Sequence, residues 1–129
     1  MKRTKIKKDQ SQSNRKKILV VDDAEHFRMK ISRTLDDAGY KVFQARSGIE
    51  AVHAANANRP DMVIMDVAIN GLDALREIKA LDPDARIIMI SRLGQEHSIL
   101  DAFESGAEDF LLKALDVESM LSELSRTLT

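Results

Sequence analysis

The chain is predicted to fold as an α/β protein, a doubly wound five-stranded parallel sheet covered by helices on both faces. Three observations carry that expectation. Short runs rich in β-branched residues alternate with longer amphipathic stretches from residue 17 to the C-terminus, which is the pattern of repeated βα units. The third and fourth runs, 62–66 and 86–91, are apolar almost throughout, as in strands buried on both faces. Finally, four runs end on a polar residue: Ile18–Val21 on Asp22-Asp23, Met62–Met65 on Asp66, Ile87–Ile90 on Ser91, and Phe110–Leu112 on Lys113.

The elements follow in order. Strands are predicted near 17–22, 41–45, 62–66, 86–91 and 108–112, with helices near 24–37, 47–58, 72–81, 95–105 and 116–128. In the first helix Phe27, Ile31 and Leu35 recur every four residues, and Gly39 stops it. The second opens on Ser47-Gly-Ile-Glu50, a capping-box pattern, and ends before Pro60. Gly106 closes the fourth, while Val117, Met120, Leu121, Leu124 and Leu128 give the fifth a core stripe. Met29, Met62, Met65, Met89 and Met120 fall at core-type positions and read as packing. His26, His53 and His97 show no metal-like pairing and read as surface residues.

Composition narrows the function classes. The chain has 129 residues, 43% of them apolar, enough for one domain with a real core. It has no cysteine, so thiolate chemistry, disulfides and Cys-based zinc sites are excluded. No apolar run approaches the roughly 20 residues that span a bilayer, and the first seventeen residues contain only Met1 and Ile6 as apolar side chains. A cytoplasmic location without membrane insertion is expected. Of the 20 Lys and Arg, eight lie in residues 1–17 with Asp9 as the one acid there; the other 12 face 20 acidic residues. An acidic body makes nucleic-acid binding an unfavoured function. Residues 1–15 are expected to be a basic disordered tail, and 16–129 the folded domain.

The polar strand ends carry the chemistry. In an open parallel sheet all strand C-termini lie along one edge, and ligands bind there where the strand order reverses. Asp22, Asp23, Asp66, Ser91 and Lys113 should therefore meet in one cleft. Three packed carboxylates repel one another, so a proton or a cation must join them. Hard oxygen ligands with an incomplete protein cage suit Mg²⁺, with Mn²⁺ as a second choice. Lys113 and Ser91 equip the same cleft to hold a phosphoryl group, and Asp66, alone at the end of a central strand, is the candidate nucleophile. Taken singly each residue has an ordinary reading, such as Asp23 capping the first helix.

Four segments, Ile18-Leu-Val-Val-Asp-Asp23, Pro60-Asp-Met-Val-Ile-Met-Asp66, Ile87-Ile-Met-Ile-Ser91 and Gly106-Ala-Glu-Asp-Phe-Leu-Leu-Lys113, resemble those of response-regulator receiver domains, the CheY-like family. The resemblance runs from Lys16 to Leu128 and implies the flavodoxin-like strand order 2-1-3-4-5. It implies that Asp66 is the phosphoacceptor, and that Asp23, Asp66 and the backbone carbonyl of Ala68 ligate Mg²⁺, with Asp22 assisting through water. Lys113 would contact the phosphoryl group, while Ser91 and Phe110 would move on phosphorylation. The implied partners are a histidine kinase or histidine phosphotransfer protein, and an output protein at the face of the fourth helix, fifth strand and fifth helix, where Glu96, His97 and Glu104 lie. With no further domain after Thr129 in this sequence, output through a partner is expected.

The chain departs from the family pattern at three places. Ile69-Asn-Gly-Leu-Asp-Ala74 replaces the usual Met-Pro-x-Met-Asp-Gly stretch, Arg92 replaces a small residue, and Ala114 replaces proline. Arg92 stands at the pocket lip, as a barrier or as a second cation, and the Lys113–Ala114 peptide is expected to be trans. None of the three removes a group the chemistry needs. Two other readings compete: a Mg²⁺-dependent phosphohydrolase with an Asp nucleophile, and a phosphorylation-independent adaptor acting through the basic tail. Against the hydrolase, Ala68 stands where such enzymes carry a second Asp.

Overall fold

The computed structural model describes residues 15–68, 70–92, 94, 95, 98–113 and 117–128, the last helix with side chains at 118, 119 and 122–126. Ten elements alternate along the chain: β1 (Lys17–Val21), α1 (Glu25–Asp37), β2 (Lys41–Ala45), α2 (Gly48–Asn58), β3 (Met62–Asp66), α3 (Gly71–Leu81), β4 (Ile87–Ser91), α4 (Ile99–Glu104), β5 (Asp109–Leu112) and α5 (Val117–Leu128). All strands are parallel, in the order β2-β1-β3-β4-β5. The order reverses between β1 and β3, so the carboxyl ends of those two strands form the crevice where such sheets take ligands.

Strand periodicity divides the core into two layers. Ile18, Val20, Met62, Ile64, Ile88 and Ile90 pack with Ile31 and Leu35 of α1 and Leu124 of α5. Leu19, Val21, Val63, Met65, Ile87 and Met89 pack on the other face with Ala51 and Ala55 of α2, Ala74, Leu75 and Ile78 of α3, and Ala102 of α4. Every residue of β3 and β4 is buried, which explains their continuous apolar sequence.

The helix ends follow local rules. Ser47 Oγ accepts the Glu50 N–H at 3.2 Å while Glu50 Oε1 accepts the Arg46 N–H at 3.1 Å, a capping box displaced by one residue on its return arm. After α1 the chain turns through Gly39 at φ +102°, a left-handed position that glycine occupies without Cβ strain.

Two expectations are corrected. The fourth helix begins at Ile99, not near 95: Gly94 has φ +95°, and the N–H groups of Gln95 and Ser98 bond to the carbonyls of Arg92 and Gln95 in turn geometry. Met29 is not core; it lies on the outer side of α1 at 40% exposure. The ordinary alternative for Asp23, a cap on α1, is not realised, since the N-cap is Ala24 without a side-chain bond. Residues 1–14, Glu96, His97, the Lys113–Ala114 peptide and the side chains of Val117, Met120, Leu121 and Leu128 lie outside the described residues. No helix among the described residues is long and apolar enough to cross a membrane.

Candidate functional site

Sheet hydrogen bonding continues one residue past several strands and thereby fixes the site. The Asp22 N–H bonds to the Ala45 carbonyl at 3.1 Å, Val67 to Ile90 at 2.9 Å and Lys113 to Ser91 at 2.7 Å. Val21 is in register with Met65, and Ser91 with Leu112. Asp22, Asp66 and Lys113 are thus brought to one edge by backbone register alone.

One carboxylate oxygen from each of Asp22, Asp23 and Asp66 lies within 4.8 Å of the others. Asp22 and Asp66 are each 1% exposed, whereas Asp23 is exposed. Lys113 Nζ bridges the two buried acids, 2.7 Å from Asp22 Oδ2 and 3.0 Å from Asp66 Oδ2. The same ammonium lies 4.3 Å from the centroid of the Phe27 ring, within cation–π range. The remaining oxygens are also bonded: Asp22 Oδ1 accepts the Ala24 N–H at 2.8 Å, and Asp66 Oδ1 accepts the Ala68 N–H at 2.7 Å.

Burial pushes the Asp22 carboxyl above its ordinary range, and the Asp66 charge adds to the rise. The hydrogen bonds from Lys113 and Ala24 oppose it but do not cancel it. An ionised Asp22 is therefore stabilised by any further cation brought to the cluster. The donor set fits a hard divalent ion: all its ligands are oxygens, two are preformed at buried strand ends, and the exposed third opens the site to water.

The other expected residues surround this cluster. Ser91 is fully buried at the end of β4, and its Oγ has no hydrogen-bond partner. Phe110 on β5 is half-buried against the core layer under α2, α3 and α4. Arg92 is exposed just beyond Ser91, its backbone N–H held by Gln95 Oε1 at 2.9 Å.

Two residues escaped the sequence reading. Gly71 opens α3 so close to β3 that a Cβ there would stand 2.5 Å from the Asp66 carbonyl oxygen and 2.8 Å from Met89 Cε. Asn70 before it takes the left-handed conformation, φ +60°, which Asn tolerates better than most residues. Arg28 is 5% exposed beneath the cluster, its Nη1 donating to the Asp22 carbonyl at 2.8 Å. Its signal was available: Arg28 shares the helical stripe of Ile31 and Leu35, the apolar face of α1.

The comparisons agree with this geometry. The family model for the response regulator receiver domain matches residues 18–125. The chemotaxis protein CheY of Bacillus subtilis is 40% identical over 116 residues, which cover 87% of this chain and 97% of that protein. The sporulation initiation phosphotransferase F of the same organism is 30% identical over 115 residues, covering 87% and 93%. Among solved structures, the chemotaxis response regulator CheY4 of Vibrio cholerae superposes with a TM-score of 0.81 at 30% identity, over 88% of this chain and 98% of that one. A buried acid–lysine cluster at the switch point of a 2-1-3-4-5 sheet, joined to these matches over most of the chain, shows that this protein belongs to the response regulator receiver domain family.

Proposed function

We propose that this chain is a signalling module in which Asp66 accepts a phosphoryl group from a histidine kinase or histidine phosphotransfer protein. The observation that carries the reading is the position of Asp66 Oδ2, 3.0 Å from Lys113 Nζ at the buried end of a central strand. Asp22, Asp23, Asp66 and the Ala68 carbonyl would hold Mg²⁺, which when bound supplies positive charge against the phosphoryl oxygens.

The chain's own groups do the rest. An Asp66 oxygen attacks phosphorus, an O–P bond forms, and the P–N bond of the donor phosphohistidine breaks with its electron pair left on the imidazole. Lys113, already poised on Asp66, follows the transferred charge onto a phosphoryl oxygen. Hydrolysis later forms a bond from water oxygen to phosphorus as the Asp66 O–P bond breaks with its electron pair left on the carboxylate, and the water protons go to inorganic phosphate and solvent. The protein thus catalyses its own phosphorylation and dephosphorylation in the cytoplasm. We assign residues 16–129 to this function and residues 1–15 to a dispensable basic tail. Output passes to a partner protein at the α4, β5 and α5 face.

Incubation with acetyl phosphate and Mg²⁺ tests the reading by intact mass. Stoichiometric gain of one phosphoryl group on the parent protein, and none on Asp66→Asn, is expected. Labelling of Asp66→Asn at the parent rate overturns the assignment. Rapid turnover of donor by the parent protein without labelling would indicate a hydrolase, and no reaction at all an adaptor.

A further inference from the structure

We propose that Arg28 is a positioning residue for the metal-binding carboxylates, acting through the main-chain carbonyl of Asp22. The inference rests on reading the cluster as a divalent-cation-binding phosphoacceptor site.

A guanidinium cannot shed its proton in a protein, so a buried one must find acceptors. Arg28 has two of hydrogen-bond length: Nη1 to the Asp22 carbonyl at 2.8 Å and Nε to Gln44 Oε1 at 3.0 Å. Its remaining neighbour, Glu25 Oε1, is 3.9 Å from Nη2 on a side chain that is 83% exposed, a contact too long and too solvated to hold the group. One side chain on the first turn of α1 therefore ties the end of β1 to β2.

The bond to Asp22 is placed where it controls direction. With it, every hydrogen-bonding position of Asp22 is engaged: N–H to Ala45, carbonyl to Arg28, Oδ1 to Ala24 and Oδ2 to Lys113. The Asp22 carbonyl belongs to the peptide plane that leads into Asp23. No hydrogen bond or ion pair to a described residue fixes the exposed Asp23 carboxylate, so the orientation of that plane sets its aim. Arg28 thus fixes the backbone from which two of the three carboxylates project.

Positioning and electrostatics predict opposite signs, which makes the proposal testable. Removing a cation beside an acidic cluster should tighten Mg²⁺ by charge alone. Losing the support of a ligand's backbone should weaken it, as removal of groups that orient metal ligands weakens binding by about 10- to 100-fold. The experiment is calorimetric Mg²⁺ titration of the full chain and of Arg28→Met, Arg28→Lys and Gln44→Met, with folding checked by circular dichroism and labelling rates measured with acetyl phosphate. Arg28→Met should bind Mg²⁺ at least about tenfold more weakly, and Arg28→Lys, which still reaches the Asp22 carbonyl, should recover part of the loss. Gln44→Met keeps the charge but frees Nε, so it should weaken Mg²⁺ severalfold, and it decides the matter if Arg28→Met fails to fold. Unchanged or tighter Mg²⁺ binding in a folded Arg28→Met, or in Gln44→Met, overturns the positioning role. Absence of Mg²⁺ binding by the parent protein overturns the receiver reading itself.

Discussion

Lys113 Nζ lies 3.0 Å from Asp66 Oδ2, while the other oxygen of the same carboxylate is held by the Ala68 N–H. Asp66 is therefore fixed at both oxygens before any ligand arrives, and its neutralising charge is a side chain that can follow a phosphoryl group.

Replacing Lys113 by Met should expose how much the cluster depends on that one cation. Two acids, each about 1% exposed, would lose their charged partner, and breaking a buried pair costs about 3–5 kcal/mol. Chemical denaturation without metal should show a loss near the lower end, because Asp22 can take up a proton. Saturating Mg²⁺ should restore most of it, by about 2.7 kcal/mol at a hundredfold excess over Kd. Labelling from acetyl phosphate should still fall by roughly 10²-fold.

Asp22 gives the site a pH dependence of definite sign. Its carboxyl in the folded protein titrates above the ordinary 3.8, chiefly through burial. Below the unfolded value both states are protonated and the contribution to stability is complete. As pH rises, the unfolded chain ionises first, so stability is lost progressively until the folded carboxyl also ionises. Relative to Asp22→Asn, metal-free parent protein should therefore lose stability as pH rises above about 4, where the unfolded carboxyl ionises, and Mg²⁺ should flatten the difference. A parent protein that gains stability over Asp22→Asn across that range, without metal, would contradict the burial account.

Gly71→Ala tests the close approach beneath the site. A Cβ 2.5 Å from the Asp66 carbonyl oxygen must displace β3 or α3, at a cost of about 1–3 kcal/mol. Thermal unfolding should report the loss, and labelling should slow because the displaced backbone carries Asp66. Gly39→Ala is the control, with open space around its Cβ and strain only from its left-handed φ of +102°; it should lower stability and leave labelling intact.

Arg92→Ala should speed both phosphorylation by acetyl phosphate and subsequent hydrolysis, because Arg92 is exposed just past Ser91 where a small side chain would leave the pocket open. Slower phosphorylation would instead identify Arg92 as a phosphoryl ligand.

The elements were legible where burial dictated composition. β3 and β4 are covered on both faces, so their sequence is apolar throughout and their ends at Asp66 and Ser91 stand out. Parallel register then assembled Asp22, Asp66 and Lys113 without further information. What sequence did not convey was direction. Asp22 and Asp23 are adjacent in the chain, yet one is buried on Lys113 and the other is exposed. Arg28 was hidden because a charged residue on an amphipathic helix is normally solvated, and Gly71 because its constraint, chiefly the Asp66 carbonyl oxygen with Met89 Cε beside it, exists only once α3 packs against the sheet. The start of α4 was misjudged because Gly94 takes a positive φ that composition does not announce.

A charge placed on Asp66 should reach the surface through Ser91 and Phe110. Ser91 Oγ is buried without a partner, a condition that costs about 1–3 kcal/mol. A phosphoryl group on Asp66 offers that hydroxyl acceptor oxygens, so the transfer also relieves an unsatisfied donor. Drawing the hydroxyl toward Asp66 vacates space beside β5, where Phe110 is in register with Met89 on the neighbouring strand and only half-buried. Phe110 can turn inward to fill it, which changes the surface beside α4, whose Leu100, Phe103 and Glu104 are exposed. Chemical-shift mapping with beryllofluoride, a phosphoryl mimic, should show changes at Ser91, Phe110 and residues 99–104. Ser91→Ala should retain beryllofluoride binding and lose the changes at Phe110 and α4. Perturbations confined to the loops around Asp66 in the parent protein would mean that Phe110 is a static core residue and that the signal leaves by another face.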